Sequence, residues 1–261
     1  MATTPAASPR EPQTRVPAGT WLKVFFRLFA VQGSWNYETL LGNGIAFCME
    51  PALRLLPDGR DNPRYAEALG RHARYFNAHP YLAGVAVGAL ARAELDGVQP
   101  ALIERFRTAL GGPLGSVGDR LVWASFLPLC SLLALAAFGY GARPFLVVAI
   151  FLATYNAGHL FLRAWGLRVG FDKGLRVADA LGNPVLRKGP QIAGSAAALL
   201  AGIAIPLAAS RVIGDGRYLA AGIILVAMLG GVLFARFGGR VEGWRLSLAV
   251  LGLFVFFSVI R

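Results

Sequence analysis

The sequence predicts an all-α, polytopic integral membrane protein, with about five transmembrane helices towards its C-terminus. Its N-terminal half reads as broken, re-entrant or interfacial helices. Three observations carry this. Of 261 residues, 56% are hydrophobic and only 15% are charged, against about 25% charged in a soluble domain. The apolar residues gather into runs close to the roughly 20 that a helix needs to cross a hydrocarbon core. The Lys and Arg residues of the second half fall mostly between those runs.

That placement also decides what the net charge of +12 means. Residues 1–120 hold 13 Lys/Arg against 10 Asp/Glu, and residues 121–261 hold 13 against 4. Cations between apolar runs set membrane orientation, so no nucleic-acid partner is expected. Cys48 and Cys130 sit in apolar surroundings without CxxC or Cys/His spacing. They read as small buried thiols, with no disulfide, metal or cofactor.

In chain order, residues 1–20 are rich in Pro, Ala and Thr and read as a disordered cytoplasmic tail rather than a secretory signal. The remaining chain, 21–261, reads as one membrane domain in two halves, 21–120 and 121–261. Trp21–Val31 is amphipathic, with Lys23 and Arg27 four apart, as in a helix lying in the membrane interface. Leu40–Leu56, with Glu50-Pro51 inside it, and Pro80–Leu95 are apolar but short. Each fits either a core helix or a broken membrane helix. Pro57–Ala73 reads as a polar turn leading into an exposed helix. Five spans follow: Leu121–Gly139, Pro144–Leu162, Gln191–Ile213, Tyr218–Phe234 and Trp244–Ile260. Nine Lys/Arg in two connections (Arg163–Lys188 and Arg236–Arg245) against four on the other side place the former, and the N-terminus, in the cytoplasm.

Three clusters carry candidate chemistry. The first is "QGSWNYE", Gln32–Glu38. On a helix, Gln32, Trp35 and Asn36 would share a face; alternatively Gly33 and Ser34 open the helix. Amides and carboxylates bind hydroxyls and an indole stacks on a sugar ring. A purely structural reading makes Trp35 and Tyr37 interfacial aromatics, with Asn36 and Glu38 capping a helix. The second is "RHARYFNAHPY", Arg71–Tyr81. His72 and His79 would share a helical face were it not for Pro80, which disfavours helix at the residue before it. Asn77 reads as a helix stop. The third is "LGGPLGSVGDRLVW", Leu110–Trp123. It matches no phosphate loop and reads as a flexible turn or hinge, with Asp119 as N-cap of the first span. Ser116 with His159 would make an intramembrane hydrolase only with hydrogen-bond reach and an oxyanion hole. His159 reads instead as a polar interhelical contact.

In this order and spacing the three clusters resemble the IID component of the mannose/fructose/sorbose-family phosphotransferase system, most clearly over residues 21–125. The resemblance implies a bacterial inner-membrane subunit that pairs with a homologous IIC subunit, and pairs that assemble further. Together they would carry a mannose-type hexose, while soluble IIA and IIB subunits relay phosphate from phosphoenolpyruvate. The IID subunit carries no phosphohistidine, so the histidines here are not phosphoryl carriers. The motif match implies a sugar-facing role for Gln32, Trp35, Asn36 and Glu38. It implies a hinge or structural role for Gly112, Pro113, Gly115, Gly118 and Asp119, and for His72, Asn77, His79 and Pro80. Arg120 departs from the family, which has a small residue there. The alternative expectation is a divergent scaffold or regulator that no longer transports.

Overall fold

The computed structural model describes residues 15–213 and four isolated positions beyond them, Leu225, Met228, Val232 and Arg236. The spans expected at Tyr218–Phe234 and Trp244–Ile260 lie outside the continuously described residues. Among the described residues the chain is helical without a regular strand; two isolated bridges pair Leu40 with Asn36 and with Phe76.

The first helix, α1 (Ala18–Arg27), runs on into a tight 3₁₀ turn, Leu28–Ala30. Val24 and Leu28 are buried, while Leu22, Phe26 and Phe29 form an exposed apolar stripe. Thr20, Lys23 and Arg27 lie between those faces, at helical spacings of three and four. Next comes α2 (Gly42–Leu53), with Pro51 inside it. Proline has no N–H, so the carbonyl four residues earlier loses its helical donor. That carbonyl is Phe47 O, and Arg27 Nη1 donates to it at 2.7 Å. The proline that seemed to break the run thus ties α1 to α2. The polar turn then feeds α3 (Pro63–His72), whose N-cap Asn62 accepts from Arg64 N, with Pro63 at the first helical position.

The helix α4 (Ala83–Leu95) is buried from Ala83 through Glu94. Its 13 residues reach only about 20 Å, short of a hydrocarbon core of about 30 Å. Both it and the 12-residue α2 are therefore too short to span, and both bury most of their residues inside the protein. Gly84 and Gly88 of α4 face Gly166 and Gly170 of α7 (Pro144–Lys173). A Cβ on Gly88 would come within 2.6 Å of Leu167 O, and one on Gly170 within 2.6 Å of Val85 O. Small residues four apart on both helices let the backbones touch.

Among the described residues, three helical stretches are long and apolar enough to cross a membrane: Pro100–Gly139, Pro144–Leu181 and Leu186–Val212. The first joins α5 (Pro100–Gly118), a π-helical segment (Asp119–Phe126) and α6 (Leu127–Gly139) into one rod. This corrects two expectations. The glycine-rich stretch is helix and not a flexible turn, and Asp119, in helical conformation within the rod, is not an N-cap. The widened π turn has its own cause just downstream. Pro128 would clash with the carbonyl four residues earlier and cannot bond it, and a widened turn before it accommodates the defect without ending the helix.

The second stretch shows why Arg163–Lys188 is not simply a loop. The helix α7 continues through Arg163 to Lys173, then a 3₁₀ turn (Gly174–Val177) and α8 (Ala178–Leu181) lead to α9 (Pro184–Ile213). Its N-terminal part exposes Phe145, Val148, Leu152 and Phe161, whereas Arg163, Leu167 and Phe171 are buried. Arg163, counted as a loop cation from sequence, is thus an interior residue.

Candidate functional site

The first cluster is a loop. After the 3₁₀ turn the chain passes through bends, and Leu40 takes a left-handed φ of 49°, rare for a branched side chain. Asn36 explains how this shape holds. Its Oδ1 accepts from Glu38 N and Thr39 N, each at 2.9 Å, and its Nδ2 donates to Ser34 O at 3.1 Å and Thr39 Oγ1 at 2.9 Å. All four positions of the amide are used locally. The helical face shared by Gln32, Trp35 and Asn36 does not form. Trp35 is 46% and Tyr37 89% exposed, with their rings edge-to-face at 4.9 Å. Gln32 and Glu38 are exposed on either side of them.

The second cluster is the mortar behind this loop. The helix α3 ends at His72, so Asn77 is not its stop, and His79 lies beyond it in non-helical chain. Phe76 N donates to Thr39 O at 3.1 Å and Leu41 N to Phe76 O at 3.0 Å. From α5, Arg107 Nη2 donates to Arg74 O at 2.6 Å and Tyr75 O at 2.7 Å. Carbonyls that α3 leaves behind are thereby satisfied by a guanidinium whose side chain is buried.

The third cluster closes the arrangement from the other side. A Cβ on Gly118 would lie 2.1 Å from His79 Cβ, and one on Gly111 2.8 Å from Asn77 O. Gly42 is held to glycine in the same way by Arg74 O. Gly112 and Gly115 have open space around them. The three sequence clusters thus meet in space, the loop Gln32–Leu41 resting on Arg74–His79, which rests on α5.

Histidine and aromatic rings extend this contact to α7. His79 lies 5.1 Å from the rings of both Tyr81 and Trp123, and Tyr81 stacks on His159 at 5.0 Å. Tyr81 and Tyr155 share a hydroxyl hydrogen bond of 3.0 Å, and Pro80 is buried beneath. The Arg163 guanidinium covers the faces of Phe29 and Tyr81 and donates to Leu28 O. Tyr81 N donates to His79 Nδ1, which places the imidazole proton on Nε2. Burial pushes His79 down to about 4, with Asp119 opposing and Arg163 adding to the fall. Ser116 and His159 are not paired. The Ser116 hydroxyl donates to Pro113 O, and His159 Nε2 bonds Asn156 Oδ1.

His72 belongs to a separate buried group. Its Nε2 lies 2.9 Å from Glu94 Oε1, which also accepts from Arg71 Nε at 3.1 Å. Burial raises the Glu94 carboxyl, but hydrogen bonds from His72 and Arg71, with the charge of Arg71, bring it below its ordinary value. Burial holds His72 below the usual imidazole range despite Glu94. The pair is a neutral imidazole donating to a carboxylate. Burial lifts the Cys48 thiol to about 12. Among the described residues no group of three His, Cys, Asp or Glu side chains could hold a metal.

Sequence reasoning missed Arg107 and Arg163. For Arg163 the available signal was an arginine inside an apolar run, which must find buried partners. It also missed Tyr81, Tyr155 and Thr39, which look ordinary until the fold brings them together.

Comparison with known proteins bears on this arrangement. Residues 15–197 match the family described as PTS system mannose/fructose/sorbose family IID component. The chain is 34% identical over 184 residues to the sorbose-specific EIID component of Klebsiella pneumoniae, covering 67% of this chain and 65% of that protein. It is 32% identical over 174 residues to the mannose-specific EIID component of Escherichia coli K12, covering 63% and 59%. The matched region is thus a little under two thirds of these relatives' length. A chain of the mannose transporter ManYZ in complex with microcin E492 superposes with a TM-score of 0.55 at 28% identity, covering 72% of this chain and 69% of that one. By the extent of that family match, which takes in all three clusters, the chain belongs to the IID components of the mannose/fructose/sorbose phosphotransferase systems.

Proposed function

We propose that the chain is the IID membrane subunit of a phosphoenolpyruvate-dependent sugar permease, and that it acts with a IIC subunit to translocate a mannose-type hexose. The observation that carries the reading is the loop Gln32–Glu38. It holds an indole and a phenol outward on a backbone fixed by Asn36. Trp35 is the stacking face for a pyranose ring, and Gln32 and Glu38 are the hydroxyl partners. Asn36 acts as the positioning residue that shapes the loop. The site is half a site, and its other wall belongs to the partner.

The outer face of α5 and the widened turn supports a IIC partner. Gly112, Pro113, Asp119 and Arg120 are all exposed on a rod apolar enough to cross a membrane. Lipid tails cover ionised side chains poorly, whereas a second subunit can pair them. Soluble IIA and IIB subunits would supply phosphate, the inner membrane would be the location, and the N-terminus would lie in the cytoplasm.

The test is uptake of radiolabelled mannose by cells co-expressing the IIA, IIB and IIC subunits. Trp35→Ala should abolish uptake while IIC still co-purifies, and Trp35→Phe should retain part of it. Undiminished uptake by Trp35→Ala would remove Trp35 from the site. Failure of the wild type to transport any of mannose, fructose or sorbose, with IIC still bound, would favour the scaffold reading.

A further inference from the structure

A basin of about 380 Å³ lies between α1 and α2, lined by Thr20, Lys23, Arg27, Pro51, Arg54 and Leu55. Its charge is one-sided, because three cations line it and no carboxylate does. Glu50, behind it, is already shared by Arg27, Arg54 and Arg60 at 2.9, 2.6 and 3.1 Å. Burial would raise the Glu50 carboxyl, but hydrogen bonds from Arg54, Tyr65 and Arg60 bring it to about 2, so it is ionised. It orients the guanidinium groups without cancelling them. Arg27 Nη1 is used on Phe47 O and Glu50, and Arg54 Nε and Nη2 on Glu50. Among the described residues nothing accepts from Arg27 Nη2, Arg54 Nη1 or the exposed Lys23 ammonium.

The surroundings identify what these donors would meet. Next to the Thr20–Lys23–Arg27 stripe, on the side away from the core, run Leu22, Phe26 and Phe29, with Phe26 66% exposed. Phe29 lies 6.1 Å from the His159 ring on α7. His159 stands where α7 changes from its exposed apolar part, ending near Phe161, to its buried part from Leu162. The apolar stripe of α1 therefore continues the lipid-facing surface of α7 at the boundary of that surface. Cations beside such a boundary sit at headgroup depth.

We propose that this basin is a binding site for an anionic phospholipid. Its phosphate accepts from Lys23, Arg27 and Arg54, and its acyl chains lie along Leu22, Phe26 and Phe29. The site is independent of the sugar-facing loop, which lies on the far side of the 3₁₀ turn.

The test is native mass spectrometry of the full-length protein in detergent, titrated with dioleoylphosphatidylglycerol, dioleoylphosphatidylcholine or glycerol 3-phosphate. The phosphatidylglycerol adduct should form at least about ten-fold more tightly than the phosphatidylcholine adduct. Lys23→Gln should weaken it roughly five-fold, as expected for one cation at a membrane surface, and Lys23→Arg should retain it. Phe26→Ser should weaken lipid binding as well. Melting without added lipid should be unchanged in Lys23→Gln, which separates binding from folding. Equal affinity for the two lipids, or no effect of Lys23→Gln, would overturn the proposal. Competition by glycerol 3-phosphate as effective as by the lipid would also overturn it, in favour of a soluble phosphate.

Discussion

At the scale of single residues, Asn36 and Gly118 make the firmest predictions. Asn36 holds its loop through four hydrogen bonds, each contributing about 1 kcal/mol net. Asn36→Asp keeps both backbone acceptor bonds, and Thr39 can then turn its hydroxyl to donate. Sugar uptake should therefore fall in the order wild type, Asn36→Asp, Asn36→Ala at equal membrane abundance; equal uptake by the two variants would contradict a positioning role. Gly118→Ala would press a methyl into His79 and should lower stability by about 1–3 kcal/mol, measured as the melting shift in detergent. Part of this was legible beforehand. Residue chemistry singled out Gln32–Glu38, His79 and Gly118. It did not reveal that Asn36 turns its amide inward on its own loop, because an Asx turn and a ligand-binding amide have the same composition. Arg107 was illegible for another reason. Its acceptors, Arg74 O and Tyr75 O, are backbone atoms more than thirty positions away, and they leave no side-chain pattern to find.

At the scale of elements, glycines that look alike in the sequence divide into two kinds. Gly88 meets Leu167 O, whereas Gly112 meets nothing within 4 Å. Gly88→Val should separate α4 from α7 and abolish recovery of monodisperse protein on size-exclusion chromatography. Gly112→Ala should instead raise the melting temperature of the isolated protein, by up to about 1 kcal/mol of helix propensity. If Gly112 also contacts a IIC subunit, the same change should weaken co-purification. Before the structure, the crowded third cluster read as a turn because glycine weighs against helix. It is helix because Gly111 and Gly118 are selected by close approach from outside, and tertiary contact overrides propensity there. The facing glycine pairs of α4 and α7 were present in the sequence, just over eighty residues apart, but nothing in one chain marks two such pairs as partners. The existence of long apolar helices was readable from composition alone. Their true starts were not, since the rod beginning at Pro100 enters through a charged, amphipathic stretch that hydropathy does not count as span.

At the scale of the whole molecule, acid should loosen the fold in two stages. His79 sits at about 4 when folded against 6.5 ordinarily, and His72 is lowered too. Both are neutral in the fold, so the unfolded chain binds protons first as pH falls below 6.5, and stability declines down to about pH 4. Glu50, at about 2 against 4.5, adds a second decline across that lower window. Melting measured in detergent from pH 7.5 to 3 should show both, and His79→Asn should flatten the first; a slope unchanged by that substitution would assign it to His72 instead. The two backbones pressed together at Gly84, Gly88, Gly166 and Gly170 have a mechanical consequence for the same molecule. With almost no side chain between them to act as a bearing, they have nothing to slide upon. Any hinge motion of the protein must carry that pair as a single block, and the bending must fall to its margins.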